Sequence, residues 1–450
     1  MTRFDPSGPL RGSLRPPSDK SISHRAALIA AMGEGKTLVE GYLDAADTRS
    51  TLGAISALGA DVVEEGLGKE GGTAGARGLQ LRIRGVGLRA AKPAKIDVGN
   101  AGTLLRLLPG WLAGQAGGKW TLDGDESIRR RPVDRIAIPL REMGADLSAR
   151  EDRLPPLEVR GAPLHGTTYE MPIASAQVKS CLLFAGLLAE GETRVVEPLP
   201  SRDHTERMLS AAGASIETSE AGGSAAPWGG PAGRVVVVRP AEQLEPDDLL
   251  VPADISSAAF FLIAAVLVPE SEVELSWVGV NPTRTGLLSI LERMGVEIDR
   301  GKEAEGGGER LATLRVRSAS LRATEVGGAE IPLAIDELPL VALAACFAEG
   351  TTTIRDAEEL RRKESDRIET VTAALNALGG KVEPTADGMV IEGTGGLRGG
   401  TIDSHGDHRI AMLGAVAGLA SQEGVQVHGM DAAAVSYPGF EADLASLLSR

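Results

Sequence analysis

Apolar positions along this chain fall into a phrase that returns roughly every 80 residues, too long a period for a solenoid. A helix-like apolar run closes on a hydrophobic residue, a glycine follows, and a strand-like stretch begins. The copies read LGADVV at Leu58, MGADLS at Met143, AGASIE at Ala212, MGVEID at Met294 and LGGKVE at Leu378. Gly59, Gly144, Gly213, Gly295 and Gly379 stand just past a helix end, where only glycine turns left-handed cheaply.

A second phrase interleaves with the first. A small-residue helix ends near a Gly or Glu, then a strand rich in Thr and Val begins: MGEGKTLVEGYL, AGGKWTLDGDE, AEGETRVVEPL, VPESEVELSWVGV, AEGTTTIRDAEEL and SQEGVQVHGMDA. The helices before these strands, such as ISHRAALIAAM, SSAAFFLIAAVLV and RIAMLGAVAGLA, are apolar nearly all round and are expected to be buried. Six units of helix, strand, loop, helix, strand, strand predict an α+β protein of compact subdomains. The sixth unit has no second glycine phrase. The spacing predicts that its missing strand comes from the start of the chain, GPLRGSLRPP. Residues 1–19 and 250–450 then form domain I and residues 20–249 domain II, with chain crossings near 20 and 250 acting as a hinge. Gly-rich stretches at 64–78, 219–234 and 300–310 are expected as surface hairpin loops.

Composition narrows the classes. At 450 residues two domains are expected, and with 3% aromatics their cores must be built from Ala, Leu, Val and Ile. A net charge of −15 argues against a nucleic-acid partner or an anionic membrane surface, yet leaves room for a local basic pocket. Cys181 and Cys346 lie in apolar runs without metal-ligand spacing and read as buried thiols. MTRFDPSGPLRGSLRPPSDK carries no apolar signal core. A cytoplasmic protein is expected.

Candidate chemistry collects at the starts of the six buried helices: PSDKSISHR, GNAGTLLR, ASAQVKS, PADISSAA, AIDELP and SHGDHR. A helix start exposes N–H groups and positive partial charge. Asp254, Ser256 and Asp336 read as ordinary caps. Lys20, Arg25, Arg106, Lys179, His408 and Arg409 do not, because cations at a helix start are unfavourable unless an anion lies between them. If the helices run parallel in two bundles of three, their starts meet at an interdomain cleft that binds anions. ESIRRRPVDR, LPSRDHTERM and LRRKESDRI add further cations, suited to phosphate and carboxylate groups.

PSDKSISHRAALIAA, with GNAGTLLR, RRRPVDR, SAQVKS, SRDHTERM, LRRKESDRI and GDHRIAM in order along the whole chain, resembles the 5-enolpyruvylshikimate-3-phosphate synthases. The resemblance implies a two-domain, inside-out α/β barrel-like fold of six βαβαββ repeats, three per domain. It implies transfer of the enolpyruvyl group of phosphoenolpyruvate to the 5-hydroxyl of shikimate 3-phosphate, with phosphate released from a tetrahedral ketal. It implies no metal and no organic cofactor, glyphosate as inhibitor, and a monomer. By position it places Lys20 between the two substrates. Ser21, Arg25, Ser175, Ala176 (through its backbone), Gln177, Ser201, Asp336 and Lys363 would hold shikimate 3-phosphate. Gly102, Arg131, Gln177, Arg367 and Arg409 would line the phosphoenolpyruvate site, with His408 beside it. Asp336 is the candidate base for the hydroxyl. Glu364 is the candidate proton donor to C3, with Lys363 adjacent. Gly102 would leave room for the inhibitor.

The chain departs from many of these relatives at Ala176, where they carry Ser, at Val435, where they carry Lys, and at Arg202 and Asp203, near a Tyr in some members. Two rival enzymes and one rival class stand beside this reading. A UDP-N-acetylglucosamine enolpyruvyl transferase would carry a reactive loop cysteine, which GDESIRRRP lacks. A P-loop enzyme is suggested by GEGKT at Gly33–Thr37, but Ala30 stands where the signature needs Gly, and a helix precedes the motif. A non-catalytic relative, kept as a scaffold or sensor, would have had reason to lose Lys20, Asp336, Glu364 or Arg409.

Overall fold

The computed structural model describes residues 1–67, 78–221 and 233–448. Of the expected surface hairpins, 68–77 and 222–232 lie outside the described residues. The third does form a hairpin: strands Ala304–Gly306 and Glu309–Arg317 flank Gly307 and Gly308, both at positive φ, as a tight turn requires.

The chain forms two compact units. A terminal unit holds Met1–Pro17, Ala253–Ala304 and Leu311–Arg450, and a central unit holds Ser18–Pro252 with Glu305–Arg310. The sequence places the crossings near 20 and 250, and the hairpin tip Glu305–Arg310, expected in domain I, lies in the central unit. It goes with the central unit because Glu309 buries its carboxylate 2.7 Å from Nδ1 of His204. Gly308 adds to this, lying so close to the Arg207 carbonyl that a Cβ would stand 2.5 Å from it.

The fold is α+β, with six small sheets among the described residues. Each sheet contains a short strand paired parallel to a second one. In the central unit these pairs are Leu249–Leu250 with Lys36–Tyr42, Lys95–Asp97 with Lys119–Asp123, and Thr168–Glu170 with Thr193–Glu197. In the terminal unit they are Arg11–Leu14 with Glu272–Gly279, Glu325–Val326 with Thr351–Ile354, and Gly400–Asp403 with Val425–His428. Five of the sheets then continue through two antiparallel strands. The predicted glycines sit between these strands and the second helices, all at positive φ: Gly59, Gly144, Gly213, Gly295 and Gly379.

The repeats are regular except at the crossings. Arg11–Leu14 precedes the first buried helix but pairs in the fourth sheet, and Leu249–Leu250 precedes the fourth helix but pairs in the first. The first and fourth repeats have thus exchanged leading strands. This corrects the expectation for GPLRGSLRPP. The sixth sheet is completed by Thr2–Phe4, antiparallel to Val425–His428, while Arg11–Leu14 serves the fourth sheet. Alternation was too short in either segment to tell them apart.

Each unit has its own apolar core. Lys20–Met32, Gly102–Ala113 and Ala176–Gly186 supply the central one; Ile255–Leu267, Leu338–Phe347 and His408–Ala420 supply the terminal one. Four of the few aromatics meet in the terminal core, where Phe260, Phe261, Tyr437 and Phe440 stand at centroid separations of 5.5–5.8 Å and fasten the last helix. Small residues let the central helices touch. A Cβ on Gly110 would stand 2.0 Å from the Cys181 carbonyl of the neighbouring helix. Gly110→Ala is therefore expected to overpack the core and destabilise the protein by about 1–3 kcal/mol, read as a lower denaturation midpoint. An unchanged midpoint would show that the two helices do not approach so closely.

Candidate active site

In the central unit, Asp19 caps the first helix by accepting from the Ile22 N–H at 2.8 Å, which brings Lys20 to the helix start. A lysine there opposes the helix dipole, and the buried carboxylate of Asp47 offsets it in a direct ion pair. Burial alone would raise the Asp47 pKa. The ring N–H of His24 and the charge of Lys20 outweigh it and hold the carboxyl well below the usual range. His24 is buried, and burial pushes its imidazole down, so it is neutral at pH 7.

Arg25, one turn on from Ser21, is buried with every nitrogen engaged. Nε donates to Thr205 Oγ1 at 2.7 Å, Nη1 to the Ser21 carbonyl at 2.9 Å, and Nη2 to Ser180 Oγ at 2.9 Å. Burial lowers its pKa to about 10, against the attraction of Glu206. Its positive charge rests on neutral oxygens. Ser175 caps the third helix through a long contact, 3.5 Å from the Val178 N–H, and Ala176 is the first helical residue.

The second helix begins at Gly102. A Cβ there would stand 2.5 Å from Arg131 Nη1, so Gly102 makes room first of all for that guanidinium. Arg106 donates from Nη1 to Gln177 Oε1 at 2.6 Å, and Gln177 Nε2 donates to Thr103 Oγ1 at 3.2 Å. Burial lowers the Arg106 pKa to about 10, and the charges of Arg135 and Arg131 lower it further. Its buried Nε has no partner among the described residues. Gly102, Arg131 and Gln177 thus adjoin a group of arginines whose charges repel one another, an arrangement that an anion relieves.

Lys179 departs from expectation. It is not open to a ligand at the helix start. It is fully buried between two carboxylates, with Nζ 2.8 Å from Glu197 Oε2 and 2.7 Å from Glu206 Oε1. Ser201, four residues beyond Glu197, donates its hydroxyl to Glu197 Oε1.

The terminal unit gathers Asp336, Lys363, Glu364, Arg367, His408 and Arg409 into one cluster. Asp336 was read as a cap, but the cap position of its helix is Glu337, with no side-chain bond. Asp336 faces three cations instead: Lys363 Nζ at 3.5 Å, Arg367 Nη1 at 3.4 Å and Arg409 Nη2 at 3.8 Å. Arg367 also donates to Glu364 Oε2 at 2.6 Å. Ser256, likewise read as a cap, lies inside its helix and donates to Glu337, while Asp254 does cap.

Asp407, which the sequence reading did not single out, organises this cluster. Fully buried, it accepts from Arg367 Nε at 2.9 Å, from Ser365 Oγ at 3.0 Å and from the Arg409 N–H at 2.9 Å. Burial would raise its pKa, but Arg367 lowers it further. The Asp one residue before the helix in SHGDHR was the available signal. His408 is held neutral, its pKa pushed down to about 4 by burial and by Arg409. Val435, where many relatives carry Lys, is exposed.

The rivals fare poorly here. Lys36 of GEGKT begins a strand after a helix, the reverse of a P-loop. Both cysteines are buried, and burial pushes the Cys346 thiol up to about 12 and raises Cys181 as well, so neither is a reactive thiolate. Among the described residues no helix is long and apolar enough to cross a membrane, and no group of His, Cys, Asp and Glu is placed to hold a metal ion.

The sequence model of the family described as EPSP synthase (3-phosphoshikimate 1-carboxyvinyltransferase) matches residues 4–444. The chain is 49% identical over 449 residues to the 3-phosphoshikimate 1-carboxyvinyltransferase of Synechococcus sp. (strain JA-3-3Ab), covering 99% of this chain and 96% of that one. To the enzyme of the same name from Geobacter sulfurreducens it is 47% identical, covering 97% and 96%. A solved EPSP synthase from Acinetobacter baumannii matches with a TM-score of 0.88 at 38% identity, covering 99% of this chain and 97% of that one. The chain therefore belongs to the EPSP synthase family, the enzymes that pass the enolpyruvyl group of phosphoenolpyruvate to shikimate 3-phosphate on the way to the aromatic amino acids.

Proposed function

We propose that the cluster around Asp336 performs the acid–base steps of this transfer and that the central-unit cations hold the two substrates. The observation that carries the reading is one carboxylate, Asp336, ringed by Lys363, Arg367 and Arg409, with a second carboxylate, Glu364, on the same Arg367. Asp336 takes the proton of the 5-hydroxyl as its oxygen bonds to C2 of phosphoenolpyruvate. Glu364 gives a proton to C3. The ketal phosphate so formed loses inorganic phosphate from C2 and a proton from C3, which restores the double bond.

Glu364 can act as an acid only once its ion pair with Arg367 gives way. An anionic substrate oxygen that takes over the guanidinium does this, and a carboxyl without a cationic partner keeps its proton more readily. Substrate binding and arming of the acid are then one event. Lys20, Ser21, Arg25, Ser175, Ala176, Gln177 and Ser201 hold shikimate 3-phosphate together with Asp336 and Lys363. Gly102, Arg131, Gln177, Arg367, His408 and Arg409 serve phosphoenolpyruvate, with Lys20 shared. No metal or cofactor is used. We read the protein as a cytoplasmic monomer in which glyphosate competes at the phosphoenolpyruvate groups; the two reduced, buried cysteines support a reducing compartment.

Phosphate release should require both substrates. Release with UDP-N-acetylglucosamine as acceptor, or none with either, would overturn the reading. Glu364→Ala is expected to lower kcat by about 10²–10⁴-fold, the scale of general acid–base catalysis; turnover within a few-fold of wild type would remove Glu364 from the chemistry. Gly102→Ala must displace Arg131, so the KM for phosphoenolpyruvate should rise along with the inhibition constant of glyphosate. If only the glyphosate constant rose, the added methyl would be meeting the inhibitor and not Arg131.

A further inference from the structure

A hydroxyl has one proton to give. In the central unit the Ser201 hydroxyl gives that proton to Glu197 Oε1, and Ser201 is fastened a second time through its carbonyl, 3.5 Å from Lys179 Nζ. Glu197 is fully buried, and its other oxygen is held by Lys179. A phosphate oxygen only accepts hydrogen bonds. While it donates to Glu197, the Ser201 hydroxyl therefore has no proton to offer a phosphate.

We infer that Glu197 is a positioning residue that sets the affinity for shikimate 3-phosphate by holding the Ser201 proton in reserve. The inference rests on the proposed role of Ser201 as a contact of that substrate. On binding, the Ser201 O–H leaves the Glu197 carboxylate for a phosphate oxygen. One charge-assisted hydrogen bond is exchanged for another, so the contact adds far less affinity than a free hydroxyl would. Lys179 keeps Glu197 and the Ser201 carbonyl in place during the exchange. Glu206, 2.7 Å from the same ammonium, stays beside Lys179 when Glu197 is altered.

Glu197→Gln reverses the polarity of the bond. The amide oxygen can still accept from Lys179, and the amide N–H donates to Ser201 Oγ, which frees the Ser201 proton for substrate. Shikimate 3-phosphate should bind roughly three- to tenfold more tightly by calorimetry, the scale of one hydrogen bond, while kcat and the KM for phosphoenolpyruvate stay within about twofold. A merely structural role predicts weaker binding and a fall in kcat, and either result overturns the inference. The gain must vanish when Ser201→Ala is added, because Glu197 acts through that hydroxyl; a gain that persists overturns it as well. The structure of the shikimate 3-phosphate complex separates the two claims. If Ser201 Oγ lies out of hydrogen-bond reach of the phosphate, the contact assigned to Ser201 falls, and this inference with it. If Ser201 Oγ reaches the phosphate while Glu197→Gln brings no gain, only the inference falls. Should Glu197→Gln fail to fold, Glu197→Ala, which leaves the Lys179–Glu206 pair in place and also frees the Ser201 hydroxyl, must show the same gain.

Discussion

Counter-charge at helix starts is the constraint on which the rest of this structure depends. Burying six apolar helices leaves their polar beginnings as the place where chemistry can sit, and the chain puts cations there, against the helix dipole. Two of these cations are matched within their own unit, Lys20 by Asp47 and Lys179 by Glu197 and Glu206, as is Arg367 at the start of another helix by Asp407, Glu364 and Asp336. Arg106 is different, with neighbours of its own sign and a buried Nε that finds no acceptor among the described residues. Two kinds of cation coexist, those the protein neutralises itself and those set beside charges of their own sign.

Buried ion pairs contribute little to stability, because desolvation consumes most of the attraction, but they fix geometry. Asp407 shows what that geometry serves. One fully buried carboxylate orients the side chain of Arg367, the Ser365 hydroxyl and the backbone of Arg409, so the groups around Asp336 share one anchor. A substrate anion entering such a network trades one partner for another instead of meeting bare charge. That keeps the cost of reorganisation low when the reaction develops charge of its own.

The repeat architecture was legible because its signals are local. Glycine after a helix and a small-residue run before a Thr/Val strand identify elements without knowledge of what they touch. The residues of the terminal cluster were legible one by one for the same reason. Partnerships were not. Lys179 and Arg106 are both cations one turn into a buried helix, and nothing in SAQVKS or GTLLR says that the first meets two carboxylates and the second none. Asp336 and Asp254 read alike as caps, yet only Asp254 caps its helix, while Asp336 turns to three cations. Strand exchange between the first and fourth repeats was equally hidden, since a four-residue strand carries no mark of the sheet it will join.

That exchange has a consequence for how the protein is made. The central unit is nearly continuous in sequence, so its three sheets have all their strands once residue 252 has left the ribosome. The amino-terminal segment has to wait. Arg11–Leu14 gains its partner only when Glu272–Gly279 emerges, and Thr2–Phe4 only when Val425–His428 does. Until those partners emerge, the nascent chain carries the two strands unpaired ahead of the central unit. Arg3 and Arg11, charged residues within those two strands, discourage premature pairing with other chains until the last repeat arrives to claim them.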